Sequence, residues 1–207
     1  MPTTRERPTS SLRERKRERT RTAIVAAGTR LFASAGYDET TIADIAAAAD
    51  IGTRTFFSYF SGKEELLFPE HDRRIDAALE AIAGRAAGER PVEVLLKALA
   101  AGGPVSDDLT SATAGLRLRL MESVPAVRGR ALQLQRRAER EIAHALIDAY
   151  PDQLDAARAA ALAGAFIGGA AAATNALLDD GGNATAGPSR VAAQIESAVA
   201  FALGQSS

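Results

Sequence analysis

The side chains able to do chemistry are few, and they are not assembled for catalysis. None of the 207 residues is cysteine, which removes thiol chemistry, disulfides and Cys-ligated zinc. The two histidines, His71 and His144, have no clustered carboxylate partners in sequence, so no metal site is expected. No glycine-rich phosphate loop, nucleophile elbow or pair of carboxylates in helical register occurs, and the chain is expected to be neither an enzyme nor dependent on a cofactor. The chemistry that remains is that of cations and hydroxyls, suited to recognising an anion. Of the 25 cationic residues only Lys16, Lys63 and Lys97 are lysine, and the rest are arginine.

Those cations are unevenly placed. Residues 1–30 hold nine Arg or Lys against three Glu, whereas residues 68–207 hold 14 cations against 17 acids. The net charge of −1 hides this gradient, which is expected where only one end meets a polyanion. The N-terminus is polar and arginine-rich with no apolar signal segment, and a cytoplasmic setting is expected.

The elements that must position these residues are helical throughout. Hydrophobic residues make up 46% of the chain and aromatics only 5%; alanine dominates the apolar set, and it is the best helix former. No segment alternates with period two, so the fold class is all-α. Residues 1–12 read as a flexible basic arm. Ile24, Ala27, Gly28, Leu31, Phe32 and Ala35 then fall at helical spacing, and Gly36 sits where a helix needs a left-handed end. Thr41 and Asp44 make a capping box for a second helix whose apolar face is Ile42, Ile45, Ala46 and Ala49. The turn Asp50-Ile51-Gly52 leads to a third helix carrying Phe56 and Phe60. Asp50 takes the place of the usual turn glycine, because Asp visits the left-handed region more readily than most residues. The run TIADIAAAADIGTRTFFSYF over residues 41–60 is thus a helix-turn-helix: two short helices crossing steeply over a small core of Ile45, Ala46, Ala49, Ile51 and Phe56.

Beyond it, Lys63 to about Ala86 reads as one long helix, kinked or started late by Pro69. Further helices are expected near 91–101, 107–122, 125–149, 152–178 and 188–203, bounded by Pro91, Gly102-Gly103-Pro104, Pro125, Pro151 and the loop Asp179–Gly187. Ala159–Leu178 carries no charge and includes Gly164 and Gly168 four apart, which invites a membrane reading. Ten of its twenty residues are Ala and three are Gly, a composition too weakly apolar for lipid, and a tightly packed soluble helix is expected instead. Its small face (Gly164, Gly168, Ala171, Ala172) and the stripe Val191, Ile195, Val199 and Leu203 on the last helix suggest a four-helix interface in a homodimer.

Residues 14–67 resemble the N-terminal domain of TetR-type transcriptional repressors. The resemblance rests on LFASAGYDETT at the end of the first helix, on TIADIAAAADI, and on TRTFFSYFSGKEELL. The leader LRERKRERTR together with FFSYF is similar to an actinobacterial subgroup of that family. The resemblance implies a recognition helix at about 53–59 entering the major groove of double-stranded DNA from each half of a dimer, on a palindromic operator. Thr53, Arg54 and Thr55 would stand at its exposed start, with Ser58 and Tyr59 on the next turn. Arg54 is the candidate base reader, since its planar fork matches guanine O6 and N7. Thr41 and Lys63, at helix starts, are phosphate candidates. The family commonly has Tyr at position 57, and Phe57 cannot donate that hydroxyl's hydrogen bond.

The implied organisation is an arm at 1–12, a helix-turn-helix domain at 13–62 and a helical ligand-binding and dimerisation domain at 63–207. Dimerisation through the last two long helices is part of the same implication. Candidate ligand contacts are Leu116, Leu120, Met121, Phe166 and Leu177 on the apolar side, and Arg117, His144 and Asn175 on the polar side. The function expected is a DNA-binding regulator released by a small hydrophobic effector, for which a fatty acyl thioester is one guess. The rival is an all-α dimeric scaffold that retains the motif without using it on DNA.

Overall fold

The structure is a computed structural model in which residues 12–69, 71–101, 112–179 and 188–204 are described. The arm before Leu12, the glycine-proline break at 102–104, the stretch 107–111 and the loop 180–187 lie outside the described residues. The chain divides into two units, Met1–Leu67 and Phe68–Ser207, so the turn at Lys63–Leu67 goes with the first.

In the first unit α1 spans Leu12–Ala35, α2 Ile42–Ala48 and α3 Thr53–Phe57, followed by a 3-10 turn at Lys63–Leu67. Helix α1 buries Ile24, Ala27, Gly28 and Phe32, a one-sided pattern of three- and four-residue steps. It stops at Gly36, whose φ of 97° only glycine adopts without strain. Gly28 is a site of close approach: a Cβ there would collide with Leu66 Cδ1 and lie 3.7 Å from Ile45 Cδ1. That approach draws α1, α2 and the 3-10 turn onto one core of Ile24, Ile45, Phe56, Leu66 and Leu67, all fully buried. Asp50 takes the expected left-handed conformation, with φ of 54°, and Ile51 N donates to Ala46 O at 2.9 Å to close the turn.

In the second unit α4 spans His71–Ala83, α5 Pro91–Ala101, α6 Ala112–Ser123, α7 Pro125–Ala149, α8 Ala156–Asp179 and α9 Pro188–Ala202. Of the two outcomes expected at Pro69, a kink or a late start, the chain takes the late start, with the 3-10 turn at Lys63–Leu67 ahead of it. Pro69 has no N–H to donate and biases Phe68 away from helical geometry, so the helix begins only at His71. Helix α8 starts later than expected because Asp155 caps it, its Oδ1 accepting Arg158 N at 2.8 Å. Its Ala159 and Ala163 are fully buried, which brings the α8 backbone close to α7 and α9. The core joins Ile82, Leu95, Ile142, Leu146, Phe166, Val191, Ile195 and Val199. The α9 stripe expected at a dimer interface thus lies inside the unit's own core, because α9 has the bare alanine face of α8 to pack on.

Candidate nucleic-acid interface and ligand cavity

The α2 start is fixed by its own side chains. Thr41 Oγ1 donates to Asp44 Oδ2 at 2.6 Å, Thr41 N donates to the same oxygen at 2.9 Å, and Asp44 N donates back to Thr41 Oγ1 at 3.2 Å. The hydroxyl and then the amide of Thr41 hold the Asp44 carboxyl below its ordinary range. The reciprocal pair spends Thr41's hydroxyl on the cap, leaving the α2 N-terminus rigidly aimed.

Helix α3 is short, and Gly52 precedes it in extended conformation with no side-chain cap. Thr53, Arg54 and Thr55 are all exposed, at the end where free backbone N–H groups and the helix dipole favour anions. Phe56 is fully buried beneath them and 5.8 Å from Phe60 between ring centroids, anchoring the helix to its core. Ser58 Oγ donates to Thr55 O at 2.6 Å; its hydroxyl is turned to its own helix and does not stand in for a tyrosine at position 57. Phe57 is 58% exposed and meets Phe56 edge-on at 5.6 Å, an uncovered aromatic beside the exposed Thr and Arg side chains.

Lys63 is held internally. Its Nζ donates to Tyr37 O at 2.5 Å and Thr40 O at 2.8 Å, and lies 4.3 Å from the Tyr37 ring centroid. The structure also brings in two arginines that the sequence presents only as part of a basic run. Arg17 stacks over Tyr59 at 5.1 Å and Arg21 over Phe60 at 5.4 Å. The four-residue step from Arg17 to Arg21 puts both on one face of α1, and that spacing was the available signal.

The second unit holds a partly open cavity of about 260 Å³ walled by residues from α4 to α9. Its apolar lining includes Ile75, Met121, Leu134, Ala138, Ile142 and Phe166, and its polar lining His71, Arg74, Arg117, Gln135, Thr174 and Asn175. Of the candidate ligand contacts, Arg117, Met121, Phe166 and Asn175 line it; Leu116, Leu120, His144 and Leu177 are not on its wall. Helical rotation accounts for the difference on α6, where Arg117 and Met121 share a face turned about 100° from that of Leu116 and Leu120. His144 is exposed on α7. His71 and Arg74, on α4, are wall residues outside the set of candidate contacts. Yet residues 71, 74, 75 and 78 follow the steps i, i+3, i+4, i+7 of a single face, polar at its start and apolar beyond. His71 Nε2 is buried with no hydrogen-bond partner. Burial, with Arg137, Arg74 and Arg130 adding to it and Asp72 opposing, pushes the His71 imidazole below its ordinary pKa.

Residues 24–68 match the sequence profile of the family "Bacterial regulatory proteins, tetR family". The chain is 35% identical over 141 residues to the HTH-type transcriptional regulator TcmR of Streptomyces glaucescens, a match covering 67% of this chain and 62% of that one. It is also 35% identical over 97 residues to the HTH-type transcriptional regulator HbdR of an Aromatoleum strain, covering 46% and 42%. The matches thus take in less than two thirds of either relative. Among solved structures, the transcriptional regulator FadR from Bacillus subtilis, in complex with stearoyl-CoA, superposes with a TM-score of 0.58 at 16% identity, over 90% of this chain and 99% of that one. A likeness at that identity speaks for the all-α fold alone. The helix-turn-helix geometry, the matched segment and the regulators it resembles agree: the chain belongs to the tetR family of bacterial regulatory proteins.

Proposed function

We propose that this protein is a sequence-specific DNA-binding transcriptional repressor, active as a homodimer in the cytoplasm and released from a palindromic operator by a small hydrophobic ligand. The observation that carries the reading is the exposed Thr53-Arg54-Thr55 triplet on a core-anchored α3 that follows a firmly capped α2. In a chain with a separate helical cavity, that is a reader and a sensor on one polypeptide. In this reading α3 enters the major groove, Arg54 pairs with a guanine edge, and Thr53, Thr55 and Tyr59 contact neighbouring bases or phosphates. With Thr41 committed to its cap, the first turn of α2 beyond it meets a phosphate through backbone N–H groups.

The dimer face we assign to α8 and α9. A Cβ at Gly164 or Gly168 would meet nothing within 4 Å, Ala165, Ala171 and Ala172 are exposed, and Phe201 on α9 is 78% exposed. A second copy laid on that small-residue face covers it by close helix approach. Helix α8 is long and apolar enough by length and composition to cross a membrane. Its packing between α7 and α9 and its alanine content support the soluble role.

Ligand in the cavity favours a dimer arrangement whose recognition helices no longer match the two half-sites. It shifts that equilibrium only by its difference in affinity for the two arrangements, and a near-complete switch needs about 10⁴-fold. The scaffold alternative is not favoured, since it leaves the exposed α3 triplet and the basic α1 without a role. Selection of bound fragments from random DNA by the purified protein tests the reading. A two-fold symmetric consensus is the expected result, and binding that ignores sequence at every salt concentration would reject it.

A further inference from the structure

Phe57 is the last residue of α3 and an aromatic that the unit's core does not take in. It is 58% exposed, while its neighbour Phe56 is fully buried and Phe60 is buried as well. A single exposed apolar side chain is ordinary on a protein surface; the place of this one on its helix sets it apart. Steps of four and three residues lead to Phe57 from Thr53 and Arg54, so the three side chains share one face of α3, and all three are exposed. The edge-on contact with Phe56, 5.6 Å between centroids, holds the ring against a core-anchored partner. Phe57 therefore stands as a preset apolar surface on the face that carries the polar start of α3. Its ring has no group to donate to a phosphate oxygen.

Resting on the DNA-binding reading above, we infer that Phe57 is a specificity-determining residue that reads the 5-methyl group of a thymine in each half-site. In the major groove, guanine, adenine and cytosine present hydrogen-bonding atoms, and thymine alone adds an apolar group beside its acceptor. Set against the first three, the ring strips water from donors and acceptors without replacing their hydrogen bonds. Set against thymine, ring and methyl cover each other from water. Three residues of α-helix beyond Arg54 span about 4.5 Å, and base pairs lie about 3.4 Å apart. The thymine thus falls about one or two base pairs from the base that Arg54 contacts.

The test exchanges thymine for uracil, which differs only in lacking the methyl, in the operator obtained by fragment selection. Each thymine is exchanged in turn, in both half-sites together, and binding of the full chain is measured by fluorescence anisotropy. At one position the wild type should lose about fourfold per half-site, the contribution of one buried methyl group, and so about 16-fold over the two. Phe57→Ala should bind the thymine operator more weakly and no longer tell the two bases apart, whereas Phe57→Leu, still apolar, should keep much of the discrimination. Phe57→Gln is the second loss variant and takes the place of Phe57→Ala if the circular dichroism of that variant departs from wild type. Because threonine methyls can make the same contact, Thr53→Ser and Thr55→Ser are measured alongside and should retain the thymine-to-uracil ratio. Equal binding of thymine and uracil operators by the wild type at every position, or a consensus without thymine, would overturn the inference. So would discrimination that survives loss of the Phe57 ring or that disappears in Thr53→Ser or Thr55→Ser. Each of these results leaves the DNA-binding reading in place; a protein that selects no two-fold symmetric consensus would reject both.

Discussion

Lys63 sits over the ring of Tyr37 with its Nζ 4.3 Å from the centroid, and from there it donates to the carbonyls of Tyr37 and Thr40. One ammonium therefore ties the 3-10 turn to the loop that carries the chain from α1 to α2. Tyr37 is itself buried against Phe32, 5.0 Å between centroids. Burial, then Glu64 and Asp38, push its phenol up to about 12, so the ring stays neutral under the cation at any working pH.

The first prediction follows from that arrangement. Lys63→Met should destabilise the DNA-binding unit by about 1–3 kcal/mol, because it removes two charge-assisted hydrogen bonds and a cation–π interaction at once. Its effect on operator binding should arise through folding, with the slope of log K against log salt unchanged at temperatures where the variant is folded. A slope lowered by about one would show Lys63 to be a phosphate ligand.

Arg54 carries the second prediction. If its guanidinium reads a base, Arg54→Ala should cost about 1–3 kcal/mol and relax preference at one position in each half-site. A repeat of the fragment selection with the variant measures this. Weakening that is uniform over all sequences would move Arg54 to the phosphate backbone.

These two residues show what could be read from sequence and what could not. Local backbone chemistry was legible: the capping box Thr41/Asp44, the left-handed Asp50, the stop at Gly36 and the start at Pro125 each depend on one or two neighbouring residues. Tertiary use of a side chain was not. Lys63 has the charge and position of a phosphate ligand, and only the fold reveals that Tyr37 and Thr40, more than twenty residues upstream, occupy it. The same limit governs the cavity. Hydrophobic steps gave α6 its faces, but choosing Arg117 and Met121 over Leu116 and Leu120 requires knowing which neighbours flank the helix. The α9 stripe turned inward for a related reason, since periodicity says that a face is covered and not by what.

The third prediction concerns assembly. The open surface above Gly164 and Gly168 should be closed by a second copy, so sedimentation should find a dimer at micromolar concentration. Gly168→Arg would then bury an unpaired cation where two helices approach closely. A cost on the order of 3 kcal/mol weakens the dimer by more than a hundredfold. Because a Cβ at that position meets no atom of its own chain within 4 Å, the variant monomer should keep its helical content. A wild-type monomer under those conditions would remove α8 as the interface.

The last prediction is a pH dependence set by His71. Burial lowers its pKa first, and Arg137, Arg74 and Arg130 lower it further, against Asp72. An imidazole whose folded-state pKa lies below its ordinary value near 6.5 takes up a proton more readily in the unfolded chain. Its contribution to stability is therefore intact above that ordinary value and is lost as pH falls through the folded pKa. Melting temperature should fall more steeply between about pH 7 and pH 5 for the wild type than for His71→Gln, which keeps a polar group but cannot titrate there. The two curves should run parallel above that window. Identical slopes for wild type and His71→Gln, measured in parallel melts without ligand, would show that His71 is not held neutral by the cavity wall.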